Sequence, residues 1–280
     1  MTRYSSIDLH CHSTVSDGIY TPSALASLAY QNGVKVWSLT DHDEVGGQQE
    51  AQQAASDLGI RYITGIEISV TWLGKTLHMV GLNYDIHHTA LLEGLQRLRE
   101  DRVARAHKMA SLLTSFGLEG AFEGALALAG NPDLLSRTHF ARYMVNQGFC
   151  HHLQEAFDIY LGDGKKAYVA GAWATLEQAI NWVIGAGGIA VIAHPGRYKY
   201  SEMEFAVLFD QFKSLGGQAI EVVTGSHRPE QYQQYADVAK RYGFLASCGS
   251  DFHGVDPKKM MLGCVPDIDF GLTPVWHTFL

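Results

Sequence analysis

Several things are scarce in this chain, and each scarcity excludes a class of protein. Its 280 residues contain only four cysteines. Cys11, Cys150, Cys248 and Cys264 stand apart without CxxC spacing, which rules out a zinc-finger signature and a disulfide framework. Positive charge is also short: 21 Lys and Arg against 29 Asp and Glu leave a formal net charge of −8. Binding long duplex nucleic acid needs a broad basic surface that this balance does not supply. No uncharged apolar run is long enough to span a bilayer, so no membrane partner is expected. Met1-Thr2-Arg3 runs straight into a strand pattern and leaves no room for the charged and apolar regions of a signal peptide. A cytoplasmic protein in a reducing compartment is expected.

Histidine, by contrast, is plentiful, with 14 residues. His87-His88 and His151-His152 lie in polar segments and read as exposed. The others must be placed on a map of elements. Strand patterns are expected at 5–12, 34–41, 61–68 and 76–83, with a helix opened by Thr21-Pro22 and running to Gly33, and another over 47–58. Trp72-Leu73-Gly74-Lys75 reads as a turn into the fourth strand. From 88 to 166 the rhythm stops. That segment reads as helices: a long one ending near Phe116-Gly117, then shorter ones at 122–128, 138–146 and 153–161. Alternation resumes with helices at 176–184, 202–215 and 230–242 and strands at 189–193, 219–223 and 244–248. One α/β domain with a helical insertion follows, its sheet parallel and its function gathered at the carboxyl ends of the strands.

The ligand-type residues fall at those ends. Ile7-Asp8-Leu9-His10-Cys11-His12 puts two imidazoles on one strand face, with Asp17 just beyond and Cys11 pointing the other way. Asp41-His42-Asp43 closes the second strand, Glu67 the third, and His78 lies in the fourth. His194 ends the strand at 189–193, and Asp251 and His253 follow the strand at 244–248. A single histidine at a strand end is as often a hydrogen-bonded structural residue as a ligand. So many ionisable groups delivered to one place by separate strands would repel or lose hydration, and bound cations remove both problems. The candidates His10, His12, Asp17, His42, Glu67, His78, His194, Asp251 and His253 are too many for one tetrahedral zinc and suit two or three divalent ions, with Glu67 placed to bridge. Imidazole and carboxylate donors without thiolate favour manganese first, with zinc or iron as alternatives, over calcium or magnesium. Glu221 sits inside a strand, as a partner behind the ligands or a barrel-interior residue, and is not counted among them.

His10-x-His12, Thr40-Asp41-His42, Ala193-His194-Pro195 and Ser250-Asp251-x-His253 occur in this order and resemble the motifs of the PHP (polymerase and histidinol phosphatase) family of metal-dependent phosphoesterases. The resemblance covers nearly the whole chain. It implies a distorted (β/α)7 barrel formed by residues 1–87 and 167–280, a helical insertion at 88–166 covering the active site, and a trinuclear centre. By the same resemblance one ion would take His10, His12, Glu67 and Asp251, a second Asp17, His42 and His253, and a third Glu67, His78 and His194. Within the insertion, Ser136-Arg137-Thr138-His139-Phe140-Ala141-Arg142 is similar to a subgroup active on 3′,5′-nucleoside bisphosphates and on the 5′ ends of short RNA. That subgroup has Gly and often Pro where this chain has Ser136 and Thr138; the Arg-x-His-x-Ala-Arg frame is kept.

The activity so implied is removal of the 3′-phosphate from a small nucleotide substrate, such as adenosine 3′,5′-bisphosphate to AMP and phosphate, with 5′-3′ exonuclease action on short 5′-phosphorylated oligoribonucleotides. The expected step is in-line attack by a metal-bound hydroxide, held through the nine ligands, without a phosphoenzyme. A second phosphate needs a cationic grip away from the ions, and guanidinium offers bidentate bonds that ammonium does not. Arg137, His139 and Arg197 are the first candidates for substrate binding, with Arg142 next and Arg228 and His227 on the rim. Two alternatives stand beside this reading. A histidinol-phosphate phosphatase would share the metal site but need an acidic or polar pocket for an amine. A non-catalytic metal-stabilised binding module would lose stability with its metal and have no hydrolysis to lose.

Overall fold

A computed structural model describes residues 4–171, 173–256, 258–267 and 270–279. Met1-Thr2-Arg3 and the outer bounds of the expected barrel, residues 1 and 280, lie outside the described residues. The elements in chain order are β1 (Ile7–Asp8), α1 (Pro22–Gln31), β2 (Val36–Trp37), α2 (Gln48–Asp57), β3 (Arg61–Tyr62), β4 (Gly65–Trp72), β5 (Lys75–Leu82), α3 (Thr89–Ser115), α4 (Ala121–Leu126), α5 (Arg137–Asn146) and α6 (Leu153–Ala156). They continue as β6 (Ala174–Thr175), α7 (Leu176–Gly185), β7 (Ile189–Ile192), α8 (Glu202–Ser214), β8 (Ala219–Thr224), α9 (Pro229–Tyr242) and β9 (Leu245–Gly249).

The strands follow one another around a ring. β1 pairs with β2 and β2 with β3, all parallel, and the chain runs from β3 into β4. A hairpin joins β4 to antiparallel β5 through Leu73 and Gly74, whose φ values of 46° and 72° give the left-handed pair that a tight two-residue turn requires. β5 is antiparallel to β7, and β7, β8 and β9 are parallel. Closure comes from Leu9, whose N–H donates to the Cys248 carbonyl at 3.1 Å, and from bridges between Cys11 and Phe252 and between His42 and Glu67. This is the expected α/β barrel, distorted by the antiparallel β5. β6 adds a short edge beside β4.

Two expected strands are shorter as ladders than the alternation suggests. The regions 5–12 and 34–41 pair regularly only over β1 and β2, because beyond them a side chain and the loop after β9 take up backbone groups. Cys11 N–H donates to Thr40 Oγ1, and Asp251 N–H donates to the His10 carbonyl. The two regions stay joined there by Ser38 N–H to the Asp8 carbonyl at 3.0 Å and Thr40 N–H to the Cys11 carbonyl at 2.9 Å. Gly249 belongs to the same crossing: a Cβ on it would lie 2.3 Å from His10 Cβ, so only glycine lets β9 pass. The expected helix at 153–161 ends instead as α6 followed by a π-helical turn over Phe157–Leu161.

Helix starts follow the capping signals. Thr21 accepts from Ala24 N–H with Pro22 in the first turn, and Thr175 with Gln178 and Ser201 with Glu204 form capping boxes. The barrel core gathers Ile66, Ile68, Leu77, Val191, Ile192 and Ile220, all at 0% exposure, each stabilising by about 1.5–3 kcal/mol on burial. A second cluster lies among the helices between β5 and β6, including Met109, Leu113, Phe140 and Met144. α3 serves both: its Leu91, Leu95 and Leu98 pack on the barrel, and its Ala106, Met109 and Leu113 belong to the helical cluster. Among the described residues no helix is long and apolar enough to cross a membrane.

Candidate metal centre

The nine sequence-predicted ligands converge at the open end of the strands, around Glu67 at the head of β4. Glu67 Oε1 lies 2.8 Å from His194 Nε2 and 3.0 Å from His78 Nδ1. Its Oε2 lies 3.0 Å from His42 Nδ1, 3.3 Å from His12 Nε2 and 3.4 Å from His10 Nε2. Asp251 Oδ1 stands 3.6 Å and 3.4 Å from the Nε2 atoms of His10 and His12. Asp17 Oδ1 stands 3.3 Å from His253 Nε2 and 3.9 Å from His42 Nε2. The donor atoms fall into overlapping groups that can each hold an ion: His12, Asp17, His42 and His253; His10, Glu67 and His194; His10, His12 and Asp251; His42, Glu67 and His78.

Hydrogen bonding among protein groups does not account for this cluster. His10 Nε2, both His12 ring nitrogens, Asp17 Oδ1, His42 Nδ1, Glu67 Oε2, His78 Nδ1 and Asp251 Oδ1 are buried with no hydrogen-bond partner. Buried polar atoms are ordinarily paired, so eight orphans facing one another fit a ligand cage. The charges fit as well. Burial, reinforced by His253 and His42, pushes His12 down to about 3; burial and Arg197 push His194 down to about 3. Both rings are thus neutral with a lone pair to offer. Burial alone would raise the Glu67 carboxyl, but His78, His42 and His10 together hold it well below the usual carboxylate range. The same contest keeps Asp251 ionised through His10 and His12, and Asp17 through His253 and His42.

Neighbouring groups aim the rings. His10 Nδ1 lies 2.8 Å from Glu221 Oε1, and the other oxygen of that carboxylate accepts from His194 N–H at 2.5 Å. Glu221 therefore backs two candidate ligands and leaves His10 Nε2 facing the cluster. Tyr198 OH accepts from His78 N–H at 2.9 Å and meets His194 Nδ1 at 3.1 Å. His253 Nδ1 bonds the Asp251 carbonyl at 3.0 Å. His194 and Asp251 have φ of 27° and 54°, left-handed backbone that costs energy for non-glycine residues and clusters at functional sites. Of the acids flanking His42, neither faces the cluster. Asp41 is taken up by Ser13 and Ser16, and Asp43 by Arg102 and Ser69.

The substrate-binding candidates divide. Arg197 stands at the mouth, 48% exposed, with Nη1 3.4 Å from Asp251 Oδ2. Arg142 donates to the Asp17 carbonyl at 2.9 Å, and Ser136 Oγ to Asp17 Oδ2 at 3.3 Å, so α5 reaches the loop after β1 that carries Asp17. Arg137 is held by Asp163 at 2.8 Å and the Leu161 carbonyl at 3.2 Å. His139 is buried, accepts from Ser136 N–H as part of a capping box, and is pushed by burial down to about 4. Arg228 is exposed at the start of α9. His227 is not a rim residue. It is buried, with Nδ1 on the Val222 carbonyl and Nε2 accepting from Gly196 N–H, so both nitrogens are occupied in tying β8 to the loop after His194. Sequence reasoning missed Tyr198, Asp43 and Arg102; for Glu221 the only signal was a carboxylate in the apolar run of β8.

Known proteins share this architecture. A family model described as PHP domain matches residues 8–185. The 3′,5′-nucleoside bisphosphate phosphatase of Chromobacterium violaceum is 42% identical, covering 98% of this chain and 96% of that protein. A 5′-3′ exoribonuclease of Haemophilus influenzae is 42% identical, covering 97% and 98%. A solved structure described as an amidohydrolase from Chromobacterium violaceum, with bound sulfate and no metal, superposes with a TM-score of 0.94 at 42% identity over 98% of this chain and 95% of that one.

Proposed function

Because the chain belongs to the PHP domain family, we propose that it is a metal-dependent phosphatase that removes the 3′-phosphate from 3′,5′-nucleoside bisphosphates and releases nucleotides from short 5′-phosphorylated RNA. It is a hydrolase of phosphate esters. The observation that carries the metal reading is the set of buried, unpartnered nitrogen and oxygen atoms around Glu67. His10, His12, Glu67 and Asp251 would hold one ion, Asp17, His42 and His253 a second, and Glu67, His78 and His194 a third, with manganese the favoured metal and the cytoplasm the working compartment. Bound divalent ions would supply an activated water and neutralise charge on the attacked phosphate.

The chain's own residues do the rest. Burial and neighbouring charges leave the Glu67, Asp17 and Asp251 carboxylates ionised and the His12 and His194 imidazoles neutral; against the effect of burial, Glu221 and Glu67 raise His10 and Glu67 raises His42, so those two rings would release a proton as metal enters. Glu221 fixes His10 against rotation, and Asp251 fixes His253 through its carbonyl. Residues 88–166 cover the site and bring Arg142 and Arg137 toward the substrate, while Arg197 faces it from the barrel. Guanidinium groups at the mouth favour a second phosphate over the ammonium of histidinol phosphate.

The test is a metal-reconstituted phosphate-release assay with manganese, zinc and iron, comparing adenosine 3′,5′-bisphosphate, histidinol phosphate and a short 5′-phosphorylated RNA. Turnover of the bisphosphate above the other monoester is expected. Preference for histidinol phosphate would overturn the substrate reading, and metal uptake without hydrolysis of any of the three would leave a binding module.

A further inference from the structure

Asp43 follows His42, but its carboxylate meets Ser69 and Arg102 and not the Glu67 carboxylate that His42 contacts. Its side chain is fully buried, its backbone is left-handed at φ 50°, and every polar atom it has is engaged. Oδ1 accepts from Ser69 N–H at 2.7 Å, and Oδ2 accepts from Arg102 Nε at 2.9 Å and from Arg102 Nη2. The backbone N–H donates to the Glu67 carbonyl at 2.9 Å, and the backbone carbonyl accepts from Arg99 Nη1 at 2.9 Å. On the other side of His42, the Asp41 carbonyl accepts from Glu67 N–H at 3.2 Å. His42 and Glu67 are thus fixed to each other by the two backbone bonds that flank His42, and Asp43 belongs to one of them.

Arg102 and Arg99 both come from α3, the helix shared by the barrel core and the helical cluster. Arg102 is 5% exposed, donates also to Ser69 Oγ at 2.8 Å, and stacks its guanidinium 4.7 Å from the Trp173 ring centroid. Trp173 in turn donates from Nε1 to Thr76 Oγ1, two residues before His78. A carboxylate serving stability alone would not need a strained residue beside a candidate ligand. Here the strain, the paired strand ends and the insertion helix meet at one side chain.

We infer that Asp43 and Arg102 are positioning residues for the metal centre: through their buried ion pair, α3 sets the backbone that aims His42 and Glu67. Outer partners of metal ligands act by restricting ligand orientation, and their loss weakens metal binding about 10–100-fold. The inference rests on the metal-site reading above. It makes the helical segment part of the metal centre as well as of the substrate cover.

The experiment strips the full chain of metal, titrates it with Mn²⁺, and counts ions per chain for the parent and for Asp43→Asn, Arg102→Lys and Arg99→Ala. Melting temperatures of the metal-free proteins and visible spectra of the Co²⁺ forms are recorded alongside. Asp43→Asn is expected to bind its weakest ion about 10–100-fold less tightly, to alter the Co²⁺ spectrum, and to regain full occupancy at saturating Mn²⁺. Arg102→Lys, which keeps the charge but loses the fork, falls between Asp43→Asn and the parent. Arg99→Ala, which loses the Asp43 carbonyl contact and an ion pair of 3.4 Å with Glu44 at a half-buried position, shows a smaller loss in the same direction and decides the matter if Asp43→Asn does not fold. Folded variants with parental affinity, stoichiometry and spectrum, and only a lowered melting temperature, would overturn the inference. A parent chain that takes up no ion refutes the metal-site reading itself, and the inference with it.

Discussion

Glu221→Gln is the most telling single change, because it alters charge and almost nothing else. The carboxylate is buried in β8, 2.8 Å from His10 Nδ1 and 2.5 Å from His194 N–H. Both partners are donors when the His10 lone pair at Nε2 faces the cluster. A carboxylate accepts from both at once; an amide has one oxygen, so one donor must then confront its NH₂ group. A hydrogen bond to a charged group contributes about 1.5–3 kcal/mol, and at 1.4 kcal/mol per decade its loss lowers metal affinity about 10–100-fold. The independent range for outer partners of metal ligands is the same, about 10–100-fold. The assay is competition for Mn²⁺ against a chromogenic chelator, with phosphate release from adenosine 3′,5′-bisphosphate measured at limiting and saturating metal. Activity should fall at limiting metal and recover at least in part when metal is raised. A dissociation constant within about threefold of the parent's would falsify the orienting role and return Glu221 to a barrel-interior residue.

Two other predictions concern the mouth and the frame of the site. Arg197→Ala removes a half-exposed guanidinium beside Asp251; the Michaelis constant for the bisphosphate should rise about tenfold, as loss of a charge-assisted phosphate contact implies, and unchanged steady-state kinetics would exclude Arg197 from the substrate. Burial pushes His227 down to about 4 from its ordinary 6.5, against the opposing pull of the Val222 carbonyl. A folded value below the unfolded one gives stability that is present above pH 6.5 and lost as pH falls toward 4, amounting to about 3 kcal/mol at most. Denaturant titrations of metal-free parent and His227→Gln between pH 7 and 4.5 should therefore converge as pH falls; parallel curves would contradict the neutral, doubly bonded ring.

What the sequence discloses about this site depends on how local each cause is. His10 and His12 share a face because alternation is a property of adjacent residues, and their rings do stand together, with centroids 5.2 Å apart. Cys11 points away by the same rule and meets Trp37 Nε1 at 3.2 Å. A histidine or acid closing an apolar strand is also a local pattern, carried after β1, β2, β7 and β9, whereas Glu67 heads β4 and His78 lies within β5. Glu221 escapes the pattern because it lies mid-strand, where β8 shifts register against β9 between Glu221 and Val223. Arg102 escapes for a different reason. In Arg99-Glu100-Asp101-Arg102 it reads as one charge of a solvated helix face, and only the fold brings it to Asp43, 59 residues away. Separation in sequence also hides the shortness of β1, since the His10 carbonyl accepts from Asp251 N–H in the loop after β9.

The second-phosphate grip turns on whether Arg137 is already committed. Its partner Asp163 is 61% exposed and Arg137 itself 27% exposed, so their 2.8 Å contact is a surface ion pair. Such a pair contributes about 0–1 kcal/mol, whereas a bond from guanidinium to a phosphate contributes about 1.5–3 kcal/mol. The phosphate wins that comparison, and the Asp163 contact then serves to hold the side chain ready rather than to occupy it. Asp163→Asn decides the point. If Arg137 leaves Asp163 to grip the substrate, removing the charge removes a competitor of up to about 1 kcal/mol, and the Michaelis constant for adenosine 3′,5′-bisphosphate should fall up to about fivefold. If Asp163 instead orients Arg137 for the substrate, the constant should rise, and Arg137→Ala should raise it further. A constant unmoved by either substitution would leave the grip to Arg197 and Arg142, and would place Arg137 among the residues that hold α5 to the loop before β6.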